Sequence, residues 1–279
     1  MPNRLALLMP LAAIVLVAAG AVATHVLREG GSNGVSPASV ATPTAVPTPL
    51  SSSPALKPSG SVCQGAIRRP DPGQPRVYPA EYTKQRQTLG IAVVGSDQVD
   101  DRALDEAIKK NERFFRDNEL ASRLAEEGAY VVVAERGRAL DELPEFGCLE
   151  SRARDDVHNA CGIADRADYP VVAVDELDML GNRKGPCLGL NILYHELGHL
   201  VQGWTLAPTD YFDIRLFYQA ALDAGKYQGA YAAKNVNEYF AEATQAYFLH
   251  AEPGGGHDRA WLRRYDPDLY ELLARIYGG

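Results

Sequence analysis

The run Tyr194-His195-Glu196-Leu197-Gly198-His199 sets two imidazoles and a carboxylate close together in the chain. On a helix, residues four apart share a face, so His195 and His199 can reach one metal ion while Glu196 stands beside them. At about 100° per residue, Leu190, Leu193, Leu197, Leu200 and Val201 gather into one apolar stripe, with both histidines on the opposite side. That stripe supplies the core contact of the helix and leaves the imidazoles for chemistry. Gly198 weakens a helix interior by about 1 kcal/mol relative to Ala. Close approach of another backbone would account for it.

A metal site of the catalytic kind needs a third protein ligand and an open position for water. The segment Asn235-Val236-Asn237-Glu238-Tyr239-Phe240-Ala241-Glu242 offers two carboxylates, stacked opposite the stripe Val236, Tyr239, Phe240, Ala243 and Tyr247. Carboxylates at that spacing repel unless a cation or a donor lies between them. One can bind the ion while the other orients a ligating histidine. The same residues also suit a helix cap, because Asn235 and Glu238 have capping-box spacing. A third histidine six positions after the second would fall at Thr205, so the three-histidine arrangement is excluded. Asp210 and Asp213 stay open as alternative ligands, while His158, His250 and His257 stand isolated. A carboxylate-bridged di-iron centre would need a second Glu-x-x-His besides Glu196 to His199, and the chain has none.

With the histidine motif before it, the stretch Tyr231-Ala-Ala-Lys-Asn-Val-Asn-Glu238-Tyr-Phe-Ala-Glu242-Ala243 resembles the catalytic domain of anthrax lethal factor and its relatives. These are zinc peptidases of the glutamate-ligand (gluzincin) type. The shared pattern is a tyrosine, a glutamate seven positions later, two aromatic residues, then Ala-Glu-Ala, and it covers about residues 189–248. The resemblance implies His195, His199 and Glu238 as ligands of Zn2+, and Glu196 as the general base acting on water. It implies Tyr231 as a hydroxyl facing the reaction centre, where it would donate to the oxyanion, and Glu242 as a carboxylate behind a ligating histidine. A zincin-like fold and a peptide or protein substrate follow from the same likeness, but no cleavage preference. The alternative is a catalytically silent zincin-fold binding protein at the cell surface; the intact Glu196 speaks against it.

These side chains need elements to hold them. Leu89 to Gly95, Tyr130 to Ala134 and Tyr169 to Asp175 read as strands, the last two rich in valine. Asp100 to Arg116 and Leu120 to Glu127 read as helices, as do Leu190 to Trp204, Tyr211 to Ala224, Val236 to His250 and Asp268 to Tyr277. Strands mixed with helices, followed by helices alone, predict an α+β fold: a small mixed sheet, then a helical half carrying the histidine helix and the glutamate helix.

Composition sets the remaining bounds. Apolar residues make up 46% and charged residues 23%, an ordinary globular balance. The net charge of −8 argues against a nucleic-acid partner, which needs concentrated Lys and Arg. Residues 1–27 read as a signal peptide or a signal anchor: Arg4 precedes an apolar stretch over residues 5–23 that could tether the chain to a membrane, and Ala21-Val22-Ala23 offers a cleavage site. Either reading sends the remainder outside the cell. Residues 28–62, rich in Pro, Ser and Thr, read as a disordered linker, and residues 63–279 as the folded domain. The four cysteines, Cys63, Cys148, Cys161 and Cys187, all follow the apolar stretch. In an oxidising compartment they suggest two disulfides, with Cys148 to Cys161 favoured by its short polar loop.

Overall fold

Three apolar runs form the parallel centre of a five-stranded sheet: β2 (Ile91–Gly95), β3 (Tyr130–Ala134) and β5 (Val171–Asp175). Two antiparallel strands flank them, β1 (Lys84–Thr88) beside β2 and β4 (Gly162–Ile163) beside β5, giving the order β1-β2-β3-β5-β4. The computed structural model describes residues 76–116, 118–147, 160–164, 168–181, 191–249 and 257–279. All of them belong to one contact unit.

Alternation along the central strands divides the core. Ile91, Val93, Val131, Val133, Val172 and Val174 point to the helices, whereas Ala92, Val94, Tyr130, Val132 and Ala173 meet Tyr82, Leu140, Leu143 and Phe146 on the other face. Strands covered on both faces lose the polar alternation of a half-exposed sheet, which is why β3 reads as an unbroken apolar run.

The helices are α1 (Asp101–Phe114), α2 (Leu120–Glu126), the short α3 (Glu176–Met179), α4 (Ile192–Trp204), α5 (Pro208–Asp223), α6 (Val236–Phe248), α7 (Arg259–Tyr265) and α8 (Pro267–Tyr277). The expected α+β class and small mixed sheet are present. Several boundaries differ. Leu89 and Gly90 do not extend a strand; with φ of 52° and 80° they make the tight turn between β1 and β2. α5 starts three residues early because Pro208 suits the first helical turn. α6 stops at Phe248 rather than His250.

Residues 1–27, the linker 28–62, and Cys63, Cys148 and Cys187 lie outside the described residues. The expectations of a leader, a spacer and a Cys148 pairing fall there. Cys161 is disulfide-bonded. Among the described residues no helix is long and apolar enough to cross a membrane.

Candidate metal centre

Helices α4 and α6 build the site together, and they pass unusually close. A Cβ added at Gly198 of α4 would lie 3.0 Å from Thr244 Cβ and 3.2 Å from Ala241 Cα of α6. A side chain at that position would crowd α6 at less than ordinary carbon contact, and this close approach meets the expectation attached to Gly198. Of the predicted stripes, Leu193, Leu197, Leu200 and Val201 on α4 and Tyr239, Phe240, Ala243 and Tyr247 on α6 are buried, Val236 is only partly buried, and Leu190 lies outside the described residues. Tyr194 ties the pair to α1 by stacking near Phe114 and Phe248. Tyr239, next to Glu238, is fixed by donating its hydroxyl to buried Asp266 at 2.7 Å.

The start of α4 is held from another element. Asn191 sits in the left-handed region at φ 54° and does not cap its own helix with its side chain. Instead Asp178, on α3 at the end of β5, accepts from the Asn191 and Ile192 amides at 3.1 and 3.0 Å. A carboxylate there also suits the positive end of the helix dipole. Lys110 of α1 donates to Asn191 Oδ1. Burial pushes the Asp178 carboxyl up to about 6, against the pull of Lys110 and the two amides. Nothing in the sequence pattern singled out Asp178.

With those helices fixed, three ligand atoms converge. His195 Nε2 lies 3.1 Å from His199 Nε2 and 3.2 Å from Glu238 Oε2, and His199 Nε2 lies 3.4 Å from the same oxygen. A tetrahedral ion with bonds of about 2.0–2.1 Å has ligand-to-ligand edges of about 3.3–3.4 Å. The triangle fits such a face, and the three residues could hold a metal ion. Burial alone would lower the His195 imidazole, but Glu238 and Glu242 together with the Glu196 charge raise it to about 10. Burial would likewise raise Glu238, yet the two imidazoles hold its carboxyl well below the usual range. The cluster therefore calls for positive charge among its three groups, from a proton or from a metal.

The neighbours take distinct places. Glu242 Oε1 is 3.3 Å from His195 Nδ1, within ion-pair reach although short of hydrogen-bond alignment. Glu196 is buried against β4, so close to Gly162 that an added Cβ would lie 2.6 Å from its Oε1. The half-exposed Tyr231 donates its hydroxyl to Glu238 Oε1 at 3.3 Å. Burial, then the Glu238 charge, push that hydroxyl above its ordinary pKa. Asn235 does cap α6, accepting from the Asn237 and Glu238 amides. The Glu238 side chain nevertheless turns to the histidines, so Asn235 caps without a reciprocal glutamate. Asp210 and Asp213 pair instead with Arg275, at 3.4 and 3.1 Å. His257 stacks on Trp261, and His158 and His250 lie outside the described residues. Sequence reasoning passed over Gly162 and Asp178, and also Lys234, whose ammonium donates to the Tyr231 hydroxyl oxygen at 3.4 Å.

No protein-family model matches the chain, and no curated protein matches it in sequence.

Proposed function

We propose that this chain is a zinc metallopeptidase of the gluzincin type, with a zincin-like catalytic half, acting outside the cell on a peptide or protein substrate. The observation that carries the reading is the convergence of His195, His199 and Glu238 on edges of 3.1–3.4 Å, with Glu196 and Tyr231 beside them. Two imidazoles and one carboxylate form a donor set suited to zinc, and three protein ligands leave a fourth position for chemistry. When bound, zinc supplies a Lewis acid that polarises a carbonyl and acidifies water.

The chain's own residues divide the remaining work. Glu242 faces Nδ1 of His195, which favours a proton on that nitrogen and leaves the Nε2 lone pair as the one that would bind the metal. Glu196 accepts the proton released by the attacking water and returns it to the departing amine nitrogen. Tyr231 donates a hydrogen bond to the substrate oxygen as negative charge develops there, a contribution of about 3 kcal/mol in comparable sites. Tyr231 is half-exposed, so a bound chain can reach the residue. An extracellular address is supported by the apolar stretch at residues 5–23 and by the disulfide at Cys161.

The test is cleavage of a peptide library by the purified protein, with and without a chelator, beside Glu196→Gln. Chelator-sensitive cleavage by wild type, lost in a variant that keeps its metal, is the expected outcome. Metal binding without cleavage would favour the silent binding protein.

A further inference from the structure

Side chains three positions apart eclipse one another in a 3-10 turn. Tyr231–Ala233 forms such a turn, and the Lys234 amide closes it on the Tyr231 carbonyl at 2.9 Å. That spacing lays the Lys234 ammonium along the tyrosine, 3.4 Å from the hydroxyl oxygen and 5.0 Å from the ring centroid. The turn is pinned from α5, where Tyr218 donates its hydroxyl to the Ala233 carbonyl at 2.9 Å. A line of donors results: Lys234 donates to Tyr231, and Tyr231 donates to Glu238 Oε1.

We propose that Lys234 is a positioning residue for Tyr231, its ammonium donating into the phenolic oxygen so that the hydroxyl proton is directed at the reaction centre. The inference deepens the peptidase reading and rests on it. A phenol both accepts and donates. Once its oxygen accepts from the solvent side, its own proton is left to turn inward. A cationic donor also polarises the O–H bond, which strengthens its hydrogen bond to a developing negative charge. The setting gives that charge weight, since Glu196, Glu238 and Glu242 make the surroundings acidic. Lys234 is exposed, so replacing it leaves the core untouched.

The experiment uses the protein labelled with 13C at tyrosine Cζ, with the Tyr231 resonance identified by its loss in Tyr231→Phe. Lys234→Met should move that resonance and leave the bound metal unchanged, and Lys234→Arg should move it back towards wild type. An unmoved resonance overturns the proposal whether or not the protein cleaves peptides. In cleavage assays Lys234→Met should lower kcat on the order of tenfold with KM unchanged, and should add nothing on a Tyr231→Phe background. A raised KM, or losses that add across the two variants, would assign Lys234 to direct substrate contact and overturn the positioning role. Failure of the peptidase reading is seen separately, as a wild type without chelator-sensitive cleavage.

Discussion

Replacing Gly198 by Ala sets two effects against each other at the crossing of α4 and α6. In an isolated helix the change gains about 1 kcal/mol. Here the new methyl would sit 3.0 Å from Thr244 Cβ and 3.2 Å from Ala241 Cα, and the second of these is backbone that cannot rotate aside. Restoring ordinary carbon contacts of about 3.5 Å or more parts the helices by about half an ångström. Overpacking of this kind costs about 1–3 kcal/mol, so the metal-free protein should range from unchanged to about 2 kcal/mol less stable. The metal site should suffer more. His195 and His199 ride on α4 and Glu238 on α6, so the same displacement lengthens both imidazole-to-carboxylate edges while sparing the edge between the histidines. Zinc affinity should fall on the order of 10–100-fold, as for other changes that misplace a ligand. Competition with a chromophoric chelator reads the affinity, and denaturant unfolding in the presence of a strong chelator reads the stability. A variant about 1 kcal/mol more stable than wild type, with wild-type zinc affinity, would refute the reasoning.

Three further predictions concern the surroundings of the site. Gly162→Ala drives a methyl towards the Glu196 carboxylate and should retain zinc while losing cleavage activity on the order of 100-fold, since a catalytic group is displaced; full activity would show that Glu196 has room to spare. Glu242→Gln should weaken zinc binding by roughly 10–100-fold without abolishing it, measured by the same chelator competition. For Asp178, the raised folded pKa of about 6 means that its contribution to stability is present below pH of about 4 and is lost as pH rises through about 6. Metal-free wild type should therefore lose stability relative to Asp178→Asn across that window, on the order of 3 kcal/mol in all; a difference that stays flat with pH contradicts the burial argument.

What the sequence disclosed was what local spacing governs. His195 and His199 share a helical face because they are four apart, and the stripes of Leu193 to Val201 and Tyr239 to Tyr247 are buried as their periodicity requires. Gly198 signalled a close approach because mid-helix glycine is unfavourable without one. Glu238 was harder, for Asn235 three residues before it equally suits a cap; the structure has Asn235 capping and Glu238 facing the histidines. Positions whose role depends on distant partners left no trace. Asp178 meets amides 13 and 14 residues further on, and Gly162 matters only because β4 lies against Glu196. The strand Lys84–Thr88 carries no apolar alternation, being half-exposed at the sheet edge, and emerges only through its pairing with β2. Leu89 continues an apolar run, yet its positive φ makes it a turn.

Whether His195, His199 and Glu238 hold a metal is measured by metal stoichiometry of the purified protein beside Glu238→Gln, using elemental analysis after dialysis against a weak chelator. Wild type should hold one equivalent of zinc and the variant almost none, because a neutral amide is a poor replacement for a charged oxygen ligand. A Glu238→Gln protein that keeps a full equivalent of zinc as tightly as wild type would contradict this ligand set.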